Sequence, residues 1–389
     1  MRITKIELKN WLNFQKLETP ALTDRVFVIG PNAAGKSNLL EALRFLRDVA
    51  QPAGSKPQAG GLQNATEMRG GISKLRCLNA RGDNEVCITI ELLGDDGTSW
   101  KYVLGFKNEA RGNNRIEVTR EVVTKDDKVL LARPTLVDKE DKEQLTQTHL
   151  ELTNANKEFR DLSKFLSETT YLHLVPQLLK YGPKIGGHVI ESDPFGQSFL
   201  QRIAGTVERT RKARLRRIQK ALNTVVPLFQ ELRFLKDEIT GLPHLEANFV
   251  HWRESGAWQR ESQLSDGTLR LIGLLWSLME GNSLLLLEEP ELSLNEEIVR
   301  QLPKVIHRIQ TQSKTSRQVF ITTHSEAILS DRSIPPQDVL RLVTTRDGTV
   351  IKPVDEQEKI MLTSGMSVGD VLLASVKPEK HDQLCLALA

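Results

Sequence analysis

The sequence predicts an α/β fold with a mixed or parallel sheet, an antiparallel β-subdomain in its first half and a helical subdomain. Three observations predict it. From residue 264 onward, amphipathic or apolar helices alternate with short apolar strands, in TLRLIGLLWSLM, LLLLEE, EEIVRQLPKVIHRIQ and QVFITTH. Unbroken apolar strands such as LLLL are those of a parallel sheet covered on both faces. Between residues 85 and 132 the pattern changes to alternation interrupted by turn residues, which reads as antiparallel strands. Near the N-terminus, the apolar strand VFVIG at 26–30 runs straight into a glycine-rich loop that opens a helix.

The elements follow in order. Ile3, Ile6 and Leu8 in RITKIELKNW mark a first strand, and a break comes at Asn13 before VFVIG. The helix after the loop, 37–49, carries Leu39, Leu40, Leu43, Phe45 and Leu46. It ends before the Pro, Gly, Ser, Lys and Gln of 51–61, read as a mobile loop. VCITIELL, WKYVLGF, RIEVTREVV and KVLLA, separated by GDDG, ARGNN and KDD, form the antiparallel sheet. A charged segment at 138–143 leads to a helix near 156–168, a short strand YLHLVP at 171–176 and a Gly- and Pro-rich linker at 181–197. Residues 199–225 place Phe199, Ile203, Val207, Leu215, Ile218, Leu222 and Val225 at helical spacing, as one amphipathic helix or a hairpin. Strands near 231–237 and 245–252 precede the alternating region, and VLRLV, GTVIKP and a helical MSVGDVLLASV follow it. No repeat is visible, and no heptad tract is long enough for a coiled-coil arm. The chain, 1–389, reads as one domain: an N-terminal lobe at 1–180, a helical and basic insertion at 181–260 and a C-terminal lobe at 261–389.

Composition narrows the class. At 389 residues, 39% hydrophobic and 26% charged, the chain can bury a large core. Arg2, Lys5, Glu7 and Lys9 occupy the positions that a signal peptide would need apolar. The longest apolar run, LIGLLWSLM at 271–279, is far short of the ~20 residues that span a bilayer. A cytoplasmic protein without a membrane span is expected. Cys77, Cys87 and Cys385 match no metal spacing, and the eight histidines form no i, i+4 pair with a carboxylate partner. The net charge of +3 is too small to argue for nucleic acid, so any such argument rests on where the charges lie.

Four stretches carry chemistry. Gly30, Pro31, Asn32, Ala33, Ala34, Gly35, Lys36 and Ser37 spell G-x-x-x-x-G-K-S, followed by Asn38, between an apolar strand and a helix. Glycines let backbone N–H groups curl around phosphates, the lysine reaches the β- and γ-oxygens, and the serine hydroxyl ligates magnesium. ATP and Mg2+ are therefore the expected ligands. LLLL at 284–287 ends in Glu288 and Glu289. By position Glu288 supports the ion, and Glu289, beyond the strand end, orients or deprotonates the attacking water. Leu264-Ser265-Asp266-Gly267-Thr268 precedes an apolar helix, and His324 ends the strand QVFITT, 35 residues after Glu289.

Taken in this order, the four motifs resemble the Walker A, signature, Walker B and switch-histidine series of ABC-type ATPases. IELKNWLNF, GPNAAGKSNLLEAL, LSDGTLR, LLLLEEPELSL and ITTHS are most similar to the RecF, SMC and OLD-like branch, also called the AAA-21 or AAA-15 group. This resemblance covers most of the chain and implies an ABC ATPase head that hydrolyses ATP. It further implies a homodimer in which Ser265 and Gly267 of one subunit close over ATP held by another, with higher assembly left open. Leu292-Ser293-Leu294-Asn295 looks like the loop that crosses the dimer interface, and Asn13 and Phe14 lie near where adenine is met. Three departures stand out. Glu288 replaces the usual Asp, which leaves open which glutamate is ligand and which is base. Gln63 is the one candidate for the expected Q-loop glutamine, in an irregular stretch. The signature has Asp266 and Thr268 where transporters have Gly and Gln.

Arg202, Arg209, Arg211, Lys212, Arg214, Arg216, Arg217 and Lys220 stand against a single acid, Glu208. Such a stripe suits salt-sensitive binding to DNA or another nucleic acid, with Arg209, Arg211, Arg214 and Arg217 as candidates. A solvated face or a docking face for an acidic partner is the other reading. OLD-type proteins carry a nuclease domain after the ATPase, yet no second acidic site fits the 65 residues after His324. A separate nuclease or effector subunit is expected, as in two-gene anti-phage defence systems. Alternatives are a RecF-like repair or replication ATPase without an effector, a transporter nucleotide-binding subunit, and a non-hydrolysing scaffold.

Overall fold

A computed structural model describes residues 1–52, 60–80, 82–109, 115–182, 193–252, 257–312 and 317–376. The turn expected at ARGNN, most of the loop at 51–61, most of the linker at 181–197 and Cys385 lie outside the described residues. The chain divides into two compact units. One is Met1–Thr169, Ser283–Leu286 and Thr315–Ala389, and the other is Thr170–Asn282 and Leu287–Lys314.

In the first unit, the predicted alternation produces a six-stranded antiparallel sheet. Its strands run in the order Phe14–Glu18, Arg2–Trp11, Val86–Leu93, Ser99–Asn108, Ile116–Lys125 and Lys128–Arg133. Val86, Ile88, Ile90 and Leu92 are all buried, as one face of a strand with period two requires. The helix Lys36–Ala50 lies against this sheet, with Phe45 stacked on Phe106 at 5.2 Å and tilted against Trp11 at 5.3 Å, centroid to centroid.

The second sheet of this unit is mixed. Arg25–Ile29 pairs in parallel with Val319–Thr322 on one side and Val339–Thr345 on the other, and Gly348–Ile351 closes a hairpin on the latter. Leu285–Glu288 follows Val319–Thr322 in the order, its Leu285 N–H bonded to Gln318 O at 3.0 Å. Gln318 also ties the two sheets. Its side chain accepts from Ile3 N–H at 2.8 Å and donates to Ile3 O and Thr23 O at 2.8 and 2.7 Å.

The second unit is helical, with a three-stranded antiparallel sheet ordered Ala257–Arg260, Pro243–Phe249, Phe229–Lys236. Its first strand in that order was not legible in the sequence. The expected strand at 171–176 is only Thr170–Leu172, because Pro176 opens the helix Pro176–Tyr181. Residues 199–225, expected as one helix or a hairpin, form two helices, Phe199–Gly205 and Glu208–Val225. The break is held from within: the Arg211 guanidinium donates to Ala204 O and Thr206 O at 3.1 and 3.2 Å, satisfying carbonyls that the first helix leaves unpaired. Among the described residues no helix is long and apolar enough to cross a membrane.

Candidate functional site

The glycine-rich loop sits between the strand Arg25–Ile29 and the helix Lys36–Ala50. Ala33 and Gly35 have left-handed backbones, φ 62° and 89°, a geometry that turns successive N–H groups into a shared hollow. Two glycines are sterically required. A Cβ on Gly30 would lie 2.7 Å from Leu342 O, and one on Gly35 would lie 2.2 Å from Asn13 Nδ2. Lys36 is buried, and its ammonium donates to Gly30 O and Pro31 O, both at 3.0 Å, so its charge lies over the loop. Asn32, Ala33 and Ser37 are exposed, Pro31 and Asn38 are half-buried, and Ala34 is buried. N–H dipoles at a helix start, an ammonium and a hydroxyl are the donor set that a polyphosphate with a hard cation requires.

Asn13, expected near adenine, is bonded into this loop. Its amide donates to Ala34 O at 3.2 Å and to Thr349 Oγ1 at 2.8 Å, and it accepts from Asn38 Nδ2 at 2.8 Å. It braces the loop and the hairpin strand behind it. Phe14, expected with it near adenine, is fully buried and offers no ring face to a base. His324 is exposed just past Val319–Thr322. The strand it follows ends at Thr322, which pairs with Val28, two residues before Gly30. Gln63 does not reach toward the loop: it exchanges hydrogen bonds with Ile116 N–H and O, at 3.0 and 2.7 Å, and donates to Thr146 O at 2.7 Å. It brackets two backbone segments, as Gln318 does.

In the second unit the paired acids separate. Glu288 is the last residue of its strand and is half-buried, and the Tyr171 hydroxyl donates to its Oε2. Glu289 turns out of the strand with a left-handed φ of 44°, a conformation that costs a non-glycine residue about 1 kcal/mol. Its carbonyl accepts from the Arg270 guanidinium at 3.0 Å. Burial pulls Arg270 below its usual pKa, and the negative charges of Glu291 and Glu289 oppose that. Arg270 belongs to the helix Asp266–Leu278, so the signature helix grips the turn of the second acid directly.

Ser265 is the N-cap of that helix, accepting from Thr268 N–H at 3.1 Å. A Cβ on Gly267 would lie 2.6 Å from Ser293 O, so the signature turn packs on the LSLN loop, where Ser293 is left-handed at φ 62°. Asp266, the departure noted above, is held by Lys180 at 2.6 Å and Gln177 at 3.1 Å from the helix Pro176–Tyr181.

The basic stripe splits by role. Arg211 caps the preceding helix and lies 4.3 Å from the Phe234 ring centroid, and Arg214 lies 5.1 Å from that of Trp276. Burial lowers the Arg214 pKa, against the pull of Glu280. These two candidates are folded onto their own unit rather than offered to solvent. Arg217 is exposed and bonds Gln312 at 2.8 Å, while Arg209, Arg216 and Lys220 are exposed on the outer face of Glu208–Val225.

Tyr171, Arg270 and Lys180 were missed by sequence reasoning. Arg270 alone had a signal, two residues past the signature, whereas Tyr171 and Lys180 meet their partners across about a hundred residues of chain.

A family model described as "AAA domain, putative AbiEii toxin, Type IV TA system" matches residues 25–330. Among solved structures, an SMC head bound to the C-terminal winged-helix domain of ScpA is similar, at TM-score 0.55 and 14% identity, covering 92% of this chain and all of that one. So is an SMC head domain with an extended coiled coil, bound to the C-terminal domain of ScpA from Pyrococcus furiosus, at TM-score 0.50 and 12% identity, with 93% and 98% covered. At these identities the likeness shows the fold. No curated protein matches the chain.

Proposed function

The chain belongs to this AAA ATPase family and has the fold of an SMC ATPase head, and from that premise we propose that it binds and hydrolyses Mg-ATP between two copies of itself. Bound Mg-ATP would supply the scissile phosphoanhydride and a cation to neutralise charge developing on the transferred phosphate. The loop N–H groups from Gly30 to Ser37 hold phosphate oxygens, and Lys36 exchanges its loop carbonyls for them. Ser37 and Glu288 are the residues that would hold the cation. Glu289 orients the water and accepts its proton, His324 contacts the γ-phosphate side, and Ser265 and Gly267 act from the second copy. The observation that carries this reading is the strand–loop–helix of 25–50, with left-handed Ala33 and Gly35 and the Lys36 ammonium lying over the loop.

The cycle gates a nucleic-acid-directed activity that a separate effector subunit carries out, in a cytoplasmic defence complex. Exposed Arg209, Arg216, Arg217 and Lys220 support the nucleic-acid part. The toxin system in the family description and the ScpA-bound SMC heads support a partner subunit.

Glu289→Gln tests the chemistry. Nucleotide affinity should be kept, and turnover should fall by a factor of about 100 or more, the scale of a lost general base. Undiminished hydrolysis would contradict the assignment.

A further inference from the structure

Tyr171 has no place in the motif series, yet it touches the first of the paired acids. Its strand, Thr170–Leu172, lies next to Leu285–Glu288. Its ring is buried, 6% exposed, and its hydroxyl donates to Glu288 Oε2. The chain on its far side is also fixed, with His173 N–H on Pro194 O at 2.8 Å and Val175 N–H on Phe195 O at 3.1 Å. A tyrosine anchored on both sides has two side-chain torsions, and burial leaves them little freedom. A glutamate at a strand end has three, and unrestrained it carries its carboxylate through several orientations. A charge-assisted bond from a fixed donor removes most of them.

We propose that Tyr171 is a positioning residue, which holds the Glu288 carboxylate in the one orientation that meets a divalent cation arriving with nucleotide. This role rests on the reading of Glu288 as a magnesium ligand. The bond sets the plane of the carboxylate before the cation binds, so the ordering is not deducted from cation affinity. The extra methylene of glutamate becomes usable as a ligand arm because the phenol fixes its end.

The test is binding of a fluorescent ATP analogue to the full chain, titrated with Mg2+. Tyr171→Phe keeps the ring and removes only the donor. It should raise the Mg2+ concentration needed for half-maximal enhancement of nucleotide affinity about tenfold, or ~1.4 kcal/mol, the scale of one hydrogen bond to a charged group. Affinity without Mg2+ should not change. In a Glu288→Asp background, where the carboxylate is one methylene shorter and withdrawn from the hydroxyl, the same substitution should add nothing. An equal effect in both backgrounds would overturn the proposal, because Tyr171 would then act through packing. Glu288→Gln separates the two levels. If it leaves the Mg2+ dependence unchanged, the ligand role of Glu288 fails, whereas if it moves that dependence and Tyr171→Phe does not, only the positioning role falls.

Discussion

Glu151 stands among buried charges, and its energetics follow from its neighbours. Its carboxylate accepts from Leu62 N–H at 2.7 Å and Thr148 N–H at 3.0 Å. Burial raises its pKa to about 7, with the charge of Glu121 adding to that and the two N–H bonds and Arg133 opposing it. A carboxyl that holds its proton longer folded than unfolded stabilises the fold most below its unfolded value, and the contribution is lost as pH rises through about 7. Wild-type protein should therefore lose up to about 3 kcal/mol between pH 4.5 and pH 8, from this group alone. Glu151→Gln should flatten the loss, measured by urea unfolding across that range. A variant with the wild-type slope would place the titration elsewhere. Residues of this kind are hard to read from sequence, since the partners of Glu151 come from segments up to 89 residues away. The glycine-rich loop was legible as a motif at once, because its pattern and the Lys36 bonds to Gly30 O and Pro31 O all fall within eight positions. Asn13 lies between these cases: its place beside the loop was readable, but its brace to Thr349, 336 residues on, was not.

Elements read well where one period dominated. The antiparallel strands followed from alternation, and the parallel ones from unbroken apolar runs. The basic helix read less well, because charge in a sequence does not say which way an arginine points. Arg211 and Arg214 face inward over Phe234 and Trp276, whereas Arg209, Arg216 and Lys220 face solvent. Two opposite outcomes follow. Reversal of Arg209, Arg216 and Lys220 to Glu should leave unfolding unchanged and weaken DNA binding, with a shallower salt dependence. Reversal of Arg211 and Arg214 should cost about 1–2 kcal/mol each in stability, from the lost Arg211 cap and the lost cation–π contacts of both. Titration of labelled duplex at several salt concentrations, beside urea melts, checks both. DNA affinity that survives the first triple reversal would leave the stripe a solvated or partner face. The segment 170–181 joins candidate site residues that periodicity could not connect. Tyr171 bonds Glu288 at its start, and Gln177 and Lys180 hold Asp266 of the signature near its end.

At the scale of the whole molecule, the order of motifs along the chain proved more informative than any one of them. It identified the class from residues 30 to 324, and the SMC-head fold agrees with it. The division into two units, with the first unit in three chain segments, was not legible. A sheet that collects strands from 25, 285, 319 and 339 leaves no local composition change at a unit boundary. The central claim is that each ATP is served by two copies, one giving the phosphate loop and the other the signature turn. Mixing two inactive variants tests it most directly. Lys36→Ala removes the phosphate lysine and Ser265→Arg blocks the signature, so each homodimer should be inactive. In the mixed dimer one site keeps both intact parts, so random pairing should restore about a quarter of the wild-type rate of phosphate release. A mixture as inactive as its two components would contradict the account.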